Sequence, residues 1–189
     1  ELSKPTATEK LAVGYHSPAI GDFDHPALSL LSEVLFGGRA SRMHQALVRK
    51  LEIASEVRVF VGPFRDPGLT EIYASARGTH TAETLPAEID REIARVCEEA
   101  IPEAEIERAR ARTELSLVAG LESADGKAST IGFYDTILGR PGAAFERLDE
   151  LARVTASDLR RVARRYLVPE RRTVIVVRAQ TGEKKEAAE

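Results

Sequence analysis

The sequence predicts an α+β fold, with helices packed on one face of a mostly antiparallel sheet. Three observations lead to this fold class. The early part of the chain contains segments in which apolar and polar residues alternate, which is the period of strands. From Gly78 onward a helical period continues for about ninety residues. A β-branched run, "RTVIVVRA", then closes the pattern with one more strand.

The first strand and the first helix are predicted from their apolar positions and from the residues that end them. Residues 11–19, "LAVGYHSPA", predict a strand that ends near Pro18. The segment "DHPALSLLSEVLF" follows, with apolar residues at helical spacing, Asp24 as a cap and a proline in the first turn. Residues 37–38 are both glycine and end this helix, since glycine enters the left-handed conformation without a Cβ clash.

A second helix and a hairpin come next. Ser41 opens the helix, and its buried stripe is predicted to consist of Met43, Leu47 and Leu51. The segments "SEVRVFVG" and "LTEIYASAR" then alternate with period two, so each strand has a core face and a more polar face. Their link, "PFRDPG", is short and rich in turn formers, which predicts an antiparallel hairpin.

The remaining chain predicts five helices and a final strand. The helices cover residues 84–99, 102–121, 124–138, 144–153 and 156–167, the last of them capped by Thr155. The buried stripe of the first of these helices is predicted to contain Leu85, Ile89, Ile93, Val96 and Ala100. The final run "RTVIVVRA" is typical of a strand buried inside a sheet.

Composition indicates one soluble globular domain. We expect a flexible segment at residues 1–10, a single domain at 11–179 and a disordered charged tail at 180–189. The beginning without methionine and the charged ending suggest a C-terminal piece of a longer polypeptide. A net charge of -3 gives no reason to expect nucleic acid as a partner, and no apolar run is long enough for a membrane span.

No self-sufficient active site is visible in the sequence. The four histidines lack the i+3 or i+4 pairing of a helical metal site and are predicted to lie on the surface or on strand faces; they are His16, His25, His44 and His80. Cys97 is predicted to be an inert core thiol. The arginines at 160, 161, 164, 165, 171 and 172 are interpreted as a solvated helix face.

Several segments, in order, carry a resemblance to a known family. They are "HPALSLLSEVLFGGRASRMHQALVRKLEIASEV", the strand pair after it, "PEAEIERARARTELSL", "IGFYDTILGRP" and "VTASDLRRVARRYLVPERRTVIVV". Over residues ~10–178 the chain resembles the C-terminal half-domains of the pitrilysin/insulinase-type zinc peptidases, which include mitochondrial processing peptidase. The resemblance implies a duplicated α+β architecture whose N-terminal copy holds an inverted zinc motif, H-x-x-E-H, on its first long helix.

The resemblance also implies that this copy has lost the metal site. Aligning "SLLSEVLFGG" with the zinc helix puts Ser29 and Glu33 at the two histidines and Ser32 at the glutamate. Serine is a poor zinc ligand, so no zinc is expected in this chain; it is expected in a missing N-terminal domain or partner subunit. Some relatives also hold substrate through an arginine and a tyrosine, whose matching positions here are Val48 and Ser55.

Two functions follow from the resemblance. In the first, the chain is the non-catalytic C-terminal domain of a bacterial-type zinc metalloendopeptidase of the cytoplasm or periplasm, and is inactive alone. It would form half of a peptide-enclosing chamber and would contact the zinc-bearing domain or subunit and an extended peptide, within one chain or in a homo- or heterodimer. Its chamber-facing candidates are Glu56, Arg58, Glu71, Tyr73 and Arg77. The alternative is a structural or binding subunit without proteolysis; an unrelated α+β binding module remains a third interpretation.

Overall fold

A five-stranded sheet forms one layer of the molecule. The computed structural model describes residues 2–4 and 6–179. The strands are β1 (Leu2–Lys4), β2 (Lys10–Ser17), β3 (Ala54–Val61), β4 (Gly68–Ala76) and β5 (Arg172–Ala179), and their order across the sheet is β1-β5-β2-β4-β3. The short β1 is parallel to β5, and every other neighbouring pair is antiparallel.

Helices form the second layer and cover one face of the sheet. They are α1 (His25–Phe36), a π-helix (His44–Lys50), α2 (Leu85–Glu98), α3 (Glu103–Gly120), α4 (Ala124–Leu138), α5 (Ala143–Arg153) and α6 (Ala156–Tyr166). Short 3₁₀ turns precede α2 at Ala82–Thr84 and precede β5 at Pro169–Arg171. In the described part of the chain, no helix combines the length and the hydropathy that a bilayer span requires.

The core lies between α1 and the two central strands. Leu11, Val13 and Tyr15 project from the same face of β2, and Ile72 projects beside them from β4; all four side chains are buried. Since residues two apart on a strand share a face, this pattern follows directly from the alternation in the sequence. The buried side of α1, which includes Leu31, packs onto this face.

The predicted fold class is confirmed, and the order of elements follows the prediction from β2 onward. The hairpin of β3 and β4 is antiparallel as expected, and α3 to α6 lie within two residues of their predicted bounds. Thr155 caps α6 through a capping box: its hydroxyl accepts from the Asp158 backbone N–H, and the Asp158 carboxylate accepts from the Thr155 N–H.

Four features of the elements differ from the predictions. Leu2–Lys4 form a strand, β1, which the sequence did not predict. Leu51 and Ala100 are exposed rather than buried, because the π-helix ends at Lys50 and α2 ends at Glu98, so both residues lie beyond the helix that was to bury them. β5 is not buried on both faces: Ile175 is 42% exposed on the open face, and Val174, on the face that carries the core, is 40% exposed.

The expected division into residues 1–10, 11–179 and 180–189 stays a prediction. The charged tail at 180–189 lies outside the described residues.

Candidate functional site

A cavity of about 540 Å³ lies beside the edge strand β3. Four helices, α1, α3, α4 and α5, contribute residues to its lining. Part of the wall is apolar and includes Val59 and Val61 of β3 and Leu117 of α3. The rest is polar, and it contains the three residues of α1 that the sequence singled out.

The helical spacing of α1 explains why these three residues meet at one cavity. Positions i, i+3 and i+4 share one side of a helix, and Ser29, Ser32 and Glu33 all line the cavity from that side. Their neighbours Leu28 and Leu31 point into the core and are almost fully buried. The apolar stripe of the helix therefore fixes which way the polar residues point.

Ser32 and Glu33 already have partners within the fold. The Ser32 hydroxyl donates to the Ser29 carbonyl at 2.7 Å, which turns it back onto its own helix. The Glu33 carboxylate accepts from Nε of Arg112 on α3 at 3.2 Å. Glu33 and Arg112 thus form an ion pair at the cavity, and both side chains remain partly exposed.

His25 lies one turn before Ser29, and its burial corrects the prediction of a surface histidine. It is 3% exposed, because the first turn of α1 packs under the link between β3 and β4. Its Nε2 is 3.4 Å from the Gly62 carbonyl, and Ser29 Oγ is 3.2 Å from its Nδ1. Burial, assisted by the nearby Arg147 guanidinium, lowers the pKa of His25 to about 4. The imidazole is therefore neutral at pH 7.

Arg147 extends from α5 into the cavity. Its side chain is only 11% exposed. Nη1 donates to Glu150 at 3.2 Å, and Nη2 contacts both Nδ1 of His25 and Oγ of Ser29. Because Nη2 can only donate, the His25 nitrogen that it meets must accept, so the ring carries its proton on Nε2, facing Gly62.

The donor set at this cavity does not match a zinc site. Zinc in proteins takes thiolate, imidazole or carboxylate ligands. Here two of the three motif positions offer serine hydroxyls, and the third offers a carboxylate already paired with Arg112. The one imidazole nearby, His25, directs its accepting nitrogen at Arg147. Two guanidinium groups also oppose the approach of a cation.

The chamber-facing candidates lie on the sheet face that the helices leave open. Arg58 of β3 is paired in register with Tyr73 of β4, and its guanidinium lies 5.0 Å from the ring centroid. Glu71 and Glu56 follow on the same face by alternation, and Glu56 accepts from the Ser75 hydroxyl at 3.0 Å.

Arg77, the fifth chamber-facing candidate, lies beyond the end of β4. Its guanidinium forms an exposed ion pair with Glu52 at 3.7 Å. The structure therefore brings four of the five candidates together and leaves Arg77 apart from them.

The positions that match the family's arginine and tyrosine carry neither function. Val48 packs against the core from the π-helix. Ser55 donates to the Ser75 carbonyl at 3.3 Å. Arg49, one residue from the matched position, is exposed.

The arginines predicted to form a solvated helix face are in part structural, which corrects that interpretation. Arg161 and Arg165 of α6 both reach the buried carboxylate of Asp24, before α1. Arg172 forms an ion pair with Asp90 of α2. The partners of these arginines are distant in sequence, so the ion pairs are visible only in the folded structure.

The cavity residues that sequence reasoning missed include His25, Arg112, Tyr134 and Arg147. The spacing of His25 and Ser29, four residues apart at the start of a helix, was a readable signal. The other three come from α3, α4 and α5, and no local pattern connects them to α1.

Comparison with known proteins identifies the relatives of this chain. The profile of the family described as "Peptidase M16 inactive domain" matches residues 2–113. An uncharacterized zinc protease of Streptomyces coelicolor is 30% identical over 166 residues, which cover 88% of this chain and 36% of that protein. The chain thus spans little more than a third of that relative's length.

Solved structures show the same fold. A protease from Helicobacter pylori superimposes with a TM-score of 0.86 at 24% identity, over 94% of this chain and 42% of that one. An "Inactive Peptidase Domain" from Bordetella parapertussis gives a TM-score of 0.83 at 21% identity, over 98% of both chains.

Proposed function

Since the chain belongs to the family of peptidase M16 inactive domains, we propose that it forms the non-catalytic half of the peptide-enclosing chamber of a zinc metalloendopeptidase. In this proposal the chain itself binds no zinc. The zinc ion is held by another domain or subunit of the same family, which supplies the Lewis acid for peptide hydrolysis.

One observation carries the proposal: the three residues of α1 that match the zinc motif line a cavity whose donor groups do not suit a metal ion. Ser29 and Ser32 offer hydroxyls, and the Glu33 carboxylate is paired with a guanidinium across the cavity. Two serine hydroxyls and one carboxylate that is already paired with Arg112 make a poor donor set for zinc.

A zinc-bearing partner is supported by the relatives. The Streptomyces coelicolor protein is a zinc protease in which this chain accounts for 36% of the length, which leaves room for a second domain of similar size. An extended peptide would lie between the two. Four polar residues of the open sheet face are candidates to contact it, the exposed Glu56 and Arg58 and the half-buried Glu71 and Tyr73. Arg77 lies at the margin of this face. Residues 11–179 act as one folded unit in this proposal.

Calorimetric titration of the purified chain with zinc tests the proposal that the chain itself binds no zinc. We expect no binding in the micromolar range, whereas the zinc-bearing domain titrated in the same buffer binds one ion. Tight 1:1 binding to this chain, lost in a Glu33→Gln variant, would contradict the proposal.

Cleavage assays test the proposal that the chain forms half of the peptide-enclosing chamber. The zinc-bearing domain alone and the same domain combined with this chain are compared on an unstructured peptide. We expect cleavage to require both, because each supplies half of the chamber.

The second candidate function is a structural or binding subunit with no proteolytic role. Val48 and Ser55 favour it, since neither provides the cation or the phenol that grips substrate in some relatives. The same cleavage assay distinguishes the two functions. If the two intact domains together bind peptides but do not cleave them, the result supports a structural or binding subunit.

A further inference from the structure

The cavity beside β3 carries an excess of positive charge. Arg112 and Arg147 reach it from two different helices, and Glu33 is the one carboxylate among its lining residues in the described part of the chain. Glu33 is matched with Arg112 at 3.2 Å. Among the residues that the structure describes, Arg147 forms an ion pair only with Glu150, which is 43% exposed and does not line the cavity.

Arg147 also retains an unused donor. Its Nη1 and Nη2 atoms donate to Glu150, His25 and Ser29, while its Nε–H makes no hydrogen bond to the residues that the structure describes. A guanidinium that is 11% exposed is weakly screened, so an additional anionic acceptor would interact with it strongly.

Three further donors surround the same space. The hydroxyls of Ser116 on α3 and of Thr130 and Tyr134 on α4 line the cavity, and none of them has a hydrogen-bond partner within residues 2–4 and 6–179. Burial raises the pKa of Tyr134, so its phenol keeps its proton and can donate.

The apolar wall completes the site. Val59 and Val61 of β3 and Leu117 of α3 face the polar residues across the cavity. Such a combination suits a short aliphatic group that ends in an anion. The volume of about 540 Å³ accommodates an amino-acid side chain or a chain terminus with room to spare.

We infer that this cavity binds a carboxylate of an extended peptide, with Arg147 and Arg112 as its cationic anchors and the Tyr134 hydroxyl as a third donor. The carboxylate comes from an acidic side chain or from the C-terminus of the peptide. The inference rests on the proposed function, because it assumes that peptides reach this domain.

Nuclear magnetic resonance of the ¹⁵N-labelled chain tests the inference with three blocked or free pentapeptides. The first is acetyl-Ala-Ala-Glu-Ala-Ala-amide, the second replaces Glu by Gln, and the third is acetyl-pentaalanine with a free C-terminal carboxylate. We expect the first or the third to bind at least about tenfold more tightly than the second. The Nε–Hε signals of Arg112 and Arg147 should shift on binding. Whichever of the two carboxylate peptides binds identifies the source of the anion.

Matched variants locate the site. Arg112→Gln and Arg147→Gln should each weaken binding by about tenfold, whereas Arg153→Gln, an exposed arginine of α5 outside this cavity, should leave it unchanged. Arg112→Gln keeps the test valid if Arg147→Gln fails to fold, since Arg112 is 53% exposed.

Equal affinity for all three peptides, or carboxylate binding that survives Arg112→Gln, would overturn the inference. The zinc titration and the cleavage assay do not depend on a carboxylate. They can therefore succeed when these peptides fail, which separates a failure of this inference from a failure of the proposed function.

Discussion

Asp24 shows how much of the structure depends on a single side chain. Its carboxylate is 6% exposed and accepts from Arg161 in the middle of α6 and from Arg165 and the Tyr166 hydroxyl at the end of that helix. Burial alone would raise the pKa of Asp24, but these donors outweigh it and lower the pKa. One residue thus joins the start of α1 to the end of α6.

Asp24→Asn should lower the free energy of unfolding by about 2–4 kcal/mol, because two guanidinium groups lose their anion. Urea denaturation followed by circular dichroism measures this difference. Asp22→Asn is the control: Asp22 is exposed, and among the described residues its carboxylate accepts a hydrogen bond only from the Ala19 backbone N–H, so we expect a loss below about 1 kcal/mol. Similar losses in both variants would argue against the Asp24 network.

His25 should make the fold sensitive to mild acid. Its pKa is about 4 in the folded chain against an ordinary value of 6.5, so the unfolded chain binds more protons between these values. Stability is therefore complete above about pH 6.5 and decreases as the pH falls toward 4, by up to about 3 kcal/mol.

Urea midpoints measured from pH 7 to pH 4.5 test this dependence. His25→Asn, which keeps an acceptor near the Arg147 guanidinium, should flatten the curve in that range. His16→Asn, at an exposed position of β2, should leave it unchanged. A wild-type curve that is already flat would contradict the role of His25.

At the scale of elements, α3 has two different halves. Ile106 and Ala109 in its first half are buried, whereas Leu115 is 69% exposed in its second half. Apolar residues recur along the whole length of α3. Their spacing therefore predicted a helix, but it did not predict that only the first half of the helix is buried. Burial depends on the elements that pack against a helix. The next helix, α4, contains no buried residue among those described.

Ile106→Ala should destabilise the chain by about 2–5 kcal/mol, because it leaves a cavity in the core. Leu115→Ala on the same helix should change stability by less than about 0.5 kcal/mol, since its side chain already contacts water. Thermal and urea unfolding of both variants measure the contrast. Equal losses would show that the second half of α3 is covered in the isolated chain.

Sequence reasoning succeeded where local rules decide the structure and failed where distant partners decide it. The capping of α6 and the alternation of β3 and β4 depend on residues close in sequence, and they were predicted. The π-helix replaced a predicted α-helix, and the ion pair of Arg172 with Asp90 was missed. Both depend on tertiary packing, as does the meeting of Arg147 with α1 at the candidate site.

At the scale of the whole molecule, the sheet has one face covered by helices and one open face. The four open-face candidates, Glu56, Arg58, Glu71 and Tyr73, do not line the cavity, although Phe60, which is paired with Glu71, does. The cavity of Ser29 and Glu33 lies among the helices at the edge of the sheet, and Arg58 and Tyr73 lie on the open face. The sequence singled out some residues of each surface, missed His25, Arg112 and Arg147 of the cavity, and did not predict where the two surfaces lie relative to each other.

Metal removal should leave the isolated chain unaffected. We expect the melting temperature to be the same within about 1 °C with and without EDTA, because a ligand that does not bind cannot stabilise the folded state. Circular dichroism melts measure this directly, and the zinc-bearing domain serves as the positive control. A large decrease in melting temperature with EDTA would point to a resident ion.

The position of β5 has a consequence for biosynthesis. This last strand is inserted between β1 and β2, where Val176 pairs with Leu11 across almost the entire chain. A nascent polypeptide cannot complete the sheet until β5 has emerged from the ribosome. Such long-range closure is slow, and until it occurs the exposed edge of β2 is a hazard for aggregation. Chaperone dependence during translation would be its cellular signature.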